Sequence, residues 1–156
     1  MTATTLNRIE QGTSTDLLTT QLNSLATNTM SSAGSAVNNV FATSNFNGYP
    51  FGSIQLTLAT YTGTPTAGSS INVWFLKSID GGSTYEDGSS SLQPARAPDV
   101  IIPVETVASG PQKITIQNVP LPVGYFEPIA LNNGLGLSLA SSGNKVTVLP
   151  NSYQGQ

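Results

Sequence analysis

Ile54-Gln55-Leu56-Thr57-Leu58, then Thr62-Gly63-Thr64-Pro65-Thr66-Ala67-Gly68, then Ile71-Asn72-Val73-Trp74-Phe75-Leu76: this stretch decides the fold class. In its first part, apolar and polar residues alternate with period two. Ile54, Leu56 and Leu58 share one face of a strand, with Gln55 and Thr57 on the other. Gly and Pro interrupt the second part, as they do in a loop. The third is β-branched and aromatic, and beyond Asn72 both of its faces are largely apolar. That pattern predicts a strand central in its sheet and covered on both sides.

The same reading extends outward in both directions. Asp80-Gly81-Gly82-Ser83 turns the chain, since these residues tolerate the positive φ that tight turns need. A long polar loop, Glu86 to Pro98, follows. Val100-Ile101-Ile102-Pro103-Val104 is a strand whose proline assigns it to a sheet edge or a bulge, because proline cannot donate to the ladder. Lys113-Ile114-Thr115-Ile116-Gln117 alternates, Val119 to Gly124 is a stiff connection, and Tyr125 to Leu131 is another strand with an internal proline. Leu135, Leu137 and Leu139 alternate with Gly136 and Ser138. With a turn at Ser142-Gly143-Asn144 and a return over Lys145 to Leu149, this predicts a hairpin followed by a polar tail from Asn151.

Toward the amino end, Leu18, Leu22 and Leu25 have a helix-like spacing that Ser14 or Thr15 could cap. The surrounding Thr and Asn are weak helix formers, which favours short strands and loops over residues 14–49. Residues 1–13 read as an extended arm. Many short strands separated by turn signals predict an all-β chain, an antiparallel β-sandwich or barrel, with residues 14–156 forming one domain.

Composition narrows the function. The chain has 156 residues, no Cys and no His, with five Lys or Arg against eight Asp or Glu and a net charge of −3. Charged residues are about a third as frequent as the roughly 25% of an average soluble domain. No disulfide framework or thiolate site is available. Arg8, Lys77, Arg96, Lys113 and Lys145 stand singly, without the clustered charge that nucleic acid demands, so no nucleic-acid partner is expected. No apolar run approaches a membrane span, and the first eight residues lack the pattern of a secretory signal. Synthesis in a reducing cytoplasm fits, no membrane partner is implied, and no cofactor is expected.

Five constellations could carry chemistry. Ser78-x-Asp80-x-Gly82-x-Thr84-Tyr85 resembles the Asp-box of sialidases and related propellers, but a propeller repeats it and this chain carries one copy. A self-bracing hairpin is the preferred reading. Glu86 and Asp87 lack the alternating oxygen ligands of a calcium loop. The acids Glu10, Asp16, Asp80, Glu86, Asp87, Asp99, Glu105 and Glu127 show no spacing that favours paired-carboxylate hydrolysis. Serine has neither a histidine to activate it nor a Gly-x-Ser-x-Gly elbow. Trp74, Tyr61, Tyr85 and Tyr125 could stack on a sugar, yet Trp74 lies in an apolar strand and reads as core. The chain is expected not to be an enzyme.

Several segments in order resemble a group of tailed-bacteriophage virion proteins. They are Gln21-Leu22-Asn23-Ser24-Leu25-Ala26, Trp74 to Gly82 with Gly88, and Val119-Pro120-Leu121-Pro122-Val123-Gly124-Tyr125-Phe126. Asn132-Asn133-Gly134 and Ala140-Ser141-Ser142-Gly143-Asn144 extend the likeness. The resemblance implies a small sandwich of jelly-roll-like form, placed on the capsid surface of a virion as a decoration or cement protein. Such proteins are often trimeric, and the partner implied is the major capsid protein. The shared segments are folding signals, so no binding residue is carried over. From the arm itself, Leu6 and Ile9 are expected as apolar anchors and Arg8 as a contact to an acidic partner. The competing expectation is a tail or head-fibre module that binds a host glycan through residues 62–70 or 83–98.

Overall fold

Residues 8–40 and 48–154 are described by the computed structural model. Within them the alternating segments form nine strands: β1 (Arg8–Gln11), β2 (Thr15–Leu18), β3 (Val37–Asn39), β4 (Phe51–Leu58), β5 (Ser70–Ser78), β6 (Val100–Pro103), β7 (Gln112–Pro120), β8 (Gly124–Asn133) and β9 (Lys145–Gln154). One 3-10 turn, Thr20–Leu22, is the only helical element among the described residues.

All pairings are antiparallel. β2 pairs with β9, β3 with β8, β4 with β7, and β5 with β6, so the chain is one long hairpin nested about the β5–β6 connection. Rolling that hairpin brings β9 against β4 and β8 against β5. The result is two sheets: β9, β4 and β7 with β1 and β2 along the outer edge of β9, and β3-β8-β5-β6. This is jelly-roll topology, two sheets built from nested antiparallel pairs.

The sandwich is closed by the inward half of each alternation. Ile54, Leu56 and Leu58 of β4 meet Ile71, Val73 and Phe75 of β5, with Val146, Val148, Ile102 and Phe126 filling around them. The Phe75 and Phe126 rings stand 5.1 Å apart at 58°. β5 is covered on its other face as well. Trp74 and Leu76 are buried there with Met30 and Ile129, beneath Tyr85 of the following loop. A central strand covered on both faces is what the sequence predicts at 71–76.

Prolines fall where the ladder can spare a donor. Pro103 ends β6, an edge strand paired only with β5. Pro128 stands opposite Phe75 and has no N–H to donate; its carbonyl accepts from Gly34 N–H at 2.7 Å, and Phe75 N–H donates to Asp99 Oδ2. Pro150 has no N–H to donate where β1 and β2 part, and its carbonyl accepts from Gly12 N–H at 2.8 Å.

Buried amides tie the loops together. Asn132 Nδ2 donates to the carbonyls of Leu25 and Leu137, both at 3.0 Å, and Asn144 Nδ2 donates to the Ala140 carbonyl at 2.7 Å. Asn144 Oδ1 accepts from Ala59 N–H at 3.1 Å. Gln112 Nε2 donates to Tyr61 Oη and to the Glu105 carbonyl. At the opposite end, Asn39 Nδ2 donates to the carbonyls of Tyr49 and Pro122. Much of the uncharged polar composition is thus structural, and it satisfies buried backbone groups without charge.

Two expectations are corrected. Residues 135–139 are not the first arm of a hairpin. Gly134 and Gly136 both take positive φ (72° and 73°), which breaks the extended path; the Leu137 carbonyl accepts from the Asn132 side chain of β8, and Leu139 N–H donates to the Leu25 carbonyl. Residues 151–154 are not a tail: β9 continues through Gln154 and pairs with β1. The short strands and loops expected over 14–49 are present in the described part, with Leu18, Leu22 and Leu25 all buried.

Candidate partner-binding surface

The expected contact residues fall in and just before β1. Arg8 and Ile9 lie on β1, in register with Gln154 and Tyr153 of β9. Leu6 lies outside the described residues. β9 runs antiparallel to β4, so Arg8 is beyond Phe51, at the end of the sandwich where β7 stops and β8 begins. β5 ends there too, with Ser78 opposite Tyr125.

Immediately past that pair are the two most exposed large apolar side chains among the described residues, Ile79 (103%) and Val123 (75%). Both are held on braced backbone. Asp80 Oδ1 accepts from the backbone N–H groups of Ser83 (3.0 Å) and Thr84 (2.9 Å) and from Ser78 Oγ (2.7 Å), while Oδ2 accepts from Thr84 Oγ1. These bonds, led by Thr84, hold the Asp80 carboxyl far below the ordinary aspartate range. Gly81 and Gly82 adopt φ of 76° and 91°, and a Cβ on Gly82 would stand 2.9 Å from the Tyr125 ring. The Asp-box-like segment is therefore a self-braced loop, closed by Glu86 N–H donating to the Lys77 carbonyl at 3.0 Å rather than by a returning strand. Val123 is anchored one residue away by Asn39 on the Pro122 carbonyl.

The rest of the β5–β6 loop is fixed by the chain's main charge cluster. β6 covers β5 only as far as Val73, and side chains take over from there. Asp99 N–H donates to the Val73 carbonyl, Phe75 N–H to Asp99 Oδ2 (2.7 Å), and Arg96 Nη2 to the Phe75 carbonyl (2.8 Å). Arg96 also pairs with Asp99 (2.8 Å) and Glu86 (3.1 Å), and its own carbonyl accepts the Trp74 indole N–H at 2.9 Å. Lys145 pairs with Asp16 at 3.2 Å. Thr147 Oγ1 donates to Asp16, the leading cause of that carboxyl's lowered pKa.

The glycan-contact expectation divides. Residues 62–70 lead into the start of β5, whereas residues 83–98 follow its end and fold back along it only as far as Trp74 and Val73, where Arg96 and Asp99 are bound. Trp74 is fully buried and Tyr61 nearly so, which leaves Tyr85 and Tyr125 half-exposed. Shallow grooves are present at Glu86, Pro94 and Arg96 (≈ 240 Å³) and over Ser53, Gln55, Thr115 and Thr147 on the outer face of the β4 sheet (≈ 210 Å³). Among the described residues no group of three His, Cys, Asp or Glu could hold a metal ion, and no helix is long and apolar enough to cross a membrane.

Sequence reasoning did not find the Arg96 brace or the buried amides. Comparison with protein-family models, curated proteins and solved structures returns no match to this chain.

Proposed function

We propose that this chain is a structural virion protein of a tailed phage that decorates the capsid and stabilises it by binding the major capsid protein lattice, as a trimer. The observation that carries this reading is the coincidence, at one end of the jelly roll, of the incoming β1 strand with Ile79 and Val123. Two aliphatic side chains held in solvent on rigid backbone have no role in the fold, and pre-ordered apolar groups bind with little entropic loss. The jelly roll supports it at the level of fold analogy, being common in viral shells and in lectins. A surface of hydroxyls and amides suits lattice contact because it buries without stranding charge.

Attachment to the intact shell but not to its dissociated subunits stabilises the shell by mass action. Particles lacking the protein are expected to release their genome at lower temperature than complete ones, and re-addition restores the higher value. Equal release temperatures would overturn the reading. Glycan binding through residues 83–98 is the second reading, favoured by the groove at Glu86 and Arg96; retention of the isolated protein on a glycan array with no particle binding would select it.

A further inference from the structure

The outer face of the β9-β4-β7 sheet is polar, as an antiparallel face turned to water usually is, but it is not flat. On β7, Gln117 and Asn118 together oppose Ser53 of β4, since Gly52 pairs with Val119 and Ile54 already with Ile116. Asn118 takes φ of 57° at this bulge. A bulge bends its strand and re-aims the side chains beside it. Next to it lies the groove of ≈ 210 Å³ lined by Ser14, Ser53, Gln55, Thr115, Thr147 and Leu149. Thr115 and Thr147 are the register partners of Gln55 on its two sides, so the three form a row about 10 Å long at about 4.8 Å per strand. The row has a fixed polarity. Gln55 Nε2 donates to Thr115 Oγ1 at 3.0 Å, which leaves the Thr115 proton for a ligand. Thr147 Oγ1 donates to Asp16 at 2.6 Å, so toward a ligand it can only accept. Gln55 Oε1 and the Ser14 and Ser53 hydroxyls have no partner among the described residues. Half-buried Leu149, opposite Ser53, adds one apolar patch.

We infer that this groove binds a neutral saccharide through one pyranose ring. A sugar hydroxyl both donates and accepts, and the row offers a donor at Thr115, an acceptor at Thr147, and both at Gln55 and the two serines. Leu149 meets the C–H face of the ring. The lining carries no charge to offset the desolvation of an ionic ligand. The charges beside it are Asp16 and Lys145, paired with each other at 3.2 Å, and Lys113, two residues from Thr115 and opposite Thr57. A peptide would instead join a sheet edge through its backbone. At ≈ 210 Å³ the groove is smaller than the roughly 300–1,000 Å³ that encloses a drug-sized ligand, so it fits one ring and binds it weakly, at about millimolar strength. It lies on the opposite face of the sandwich from Tyr85 and the loop over Trp74. Attachment to a shell through Ile79 and Val123 leaves it open.

The probes are the methyl pyranosides of glucose, galactose, mannose and N-acetylglucosamine, with glucuronate as the charged control, each titrated onto the full chain by amide NMR. At least one neutral glycoside is expected to give saturable shifts centred on Gln55, including its side-chain amide, and on Thr115, Thr147 and Leu149, with glucuronate binding no tighter. Thr115→Val removes one neutral hydrogen bond and should weaken binding roughly threefold to tenfold, and Gln55→Met should weaken it further. Both positions face outward and both replacements keep the side-chain volume, so Tm stays unchanged and the loss is not unfolding. No saturable shift with any of the four glycosides, shifts centred on residues 83–98, tighter binding of glucuronate, or equal binding by both variants would each overturn the site. The site is independent of the docking reading. Glycoside binding by a chain that never attaches to a particle keeps the groove and rejects docking; attachment without glycoside binding does the reverse.

Discussion

Replacing Arg96 by Ala tests whether the chain's main charge cluster is a surface ornament or the continuation of a sheet edge. Arg96 Nη2 is the partner of the Phe75 carbonyl, and Nη1 is that of Asp99, whose side chain is 23% exposed. Hydrogen bonds to a charged group contribute about 1.5–3 kcal/mol, and a buried acceptor left without a partner costs about 1–3 kcal/mol. The Glu86 pair is more exposed, at 33% and 40%, and is worth about 0–1 kcal/mol. Together R96A is expected to lose about 3 kcal/mol, or about 6–12 °C in Tm for a chain of this size. Urea unfolding at low and high salt provides the assay. The loss should persist in high salt, because the Phe75 bond and the Trp74 cover lie behind the loop. Arg96→Lys should recover less than half of it, since an ammonium cannot bridge Phe75, Asp99 and Glu86 at once. A loss under about 0.5 kcal/mol, or complete recovery by lysine, would refute the reasoning.

Two further tests concern the loops. Asn132→Ala strands the carbonyls of Leu25 and Leu137 and should cost about 2–4 kcal/mol in urea unfolding, with Asn132→Asp worse because it buries a charge; an aspartate variant as stable as wild type would contradict the amide's role. With no His or Cys, Tm should be flat between about pH 6 and 8 and fall in acid. Asp16 and Asp80 have lowered pKa values in the folded chain, so their contribution is complete above the ordinary aspartate value of 3.8 and is lost as pH falls below it through the folded values. Asp80→Ala should flatten part of that acid limb and open residues 79–84 to protease; an unchanged limb and an intact loop would contradict the brace.

The fold was legible wherever local chemistry and tertiary need agree. The alternation at Ile54 to Leu58, the doubly apolar run at Ile71 to Leu76, the edge proline at Pro103 and the turn at Asp80 each follow from residue type and spacing. Reading failed where tertiary partners decide. Leu135, Leu137 and Leu139 alternate like a strand, yet Gly134 and Gly136 and the Asn132 amide hold them in a loop. Asn151 and Ser152 look like tail, yet β1 and β4 supply partners on both sides of Asn151. Of the candidate site, Arg8 and Ile9 could be proposed because they lie in the arm. The Arg96 brace could not, because a stranded strand carbonyl is a property of three-dimensional surroundings. The buried asparagines escaped for the same reason: an amide reads as loop in sequence whether it faces water or a stranded carbonyl.

An image of the native particle with this chain located bears most directly on the docking claim. Jelly rolls should stand at regular sites on the outer capsid surface, with the end that carries Arg8, Ile79 and Val123 turned toward the shell. A chain found only at the tail, or standing on the shell with that end turned to solvent, would contradict it.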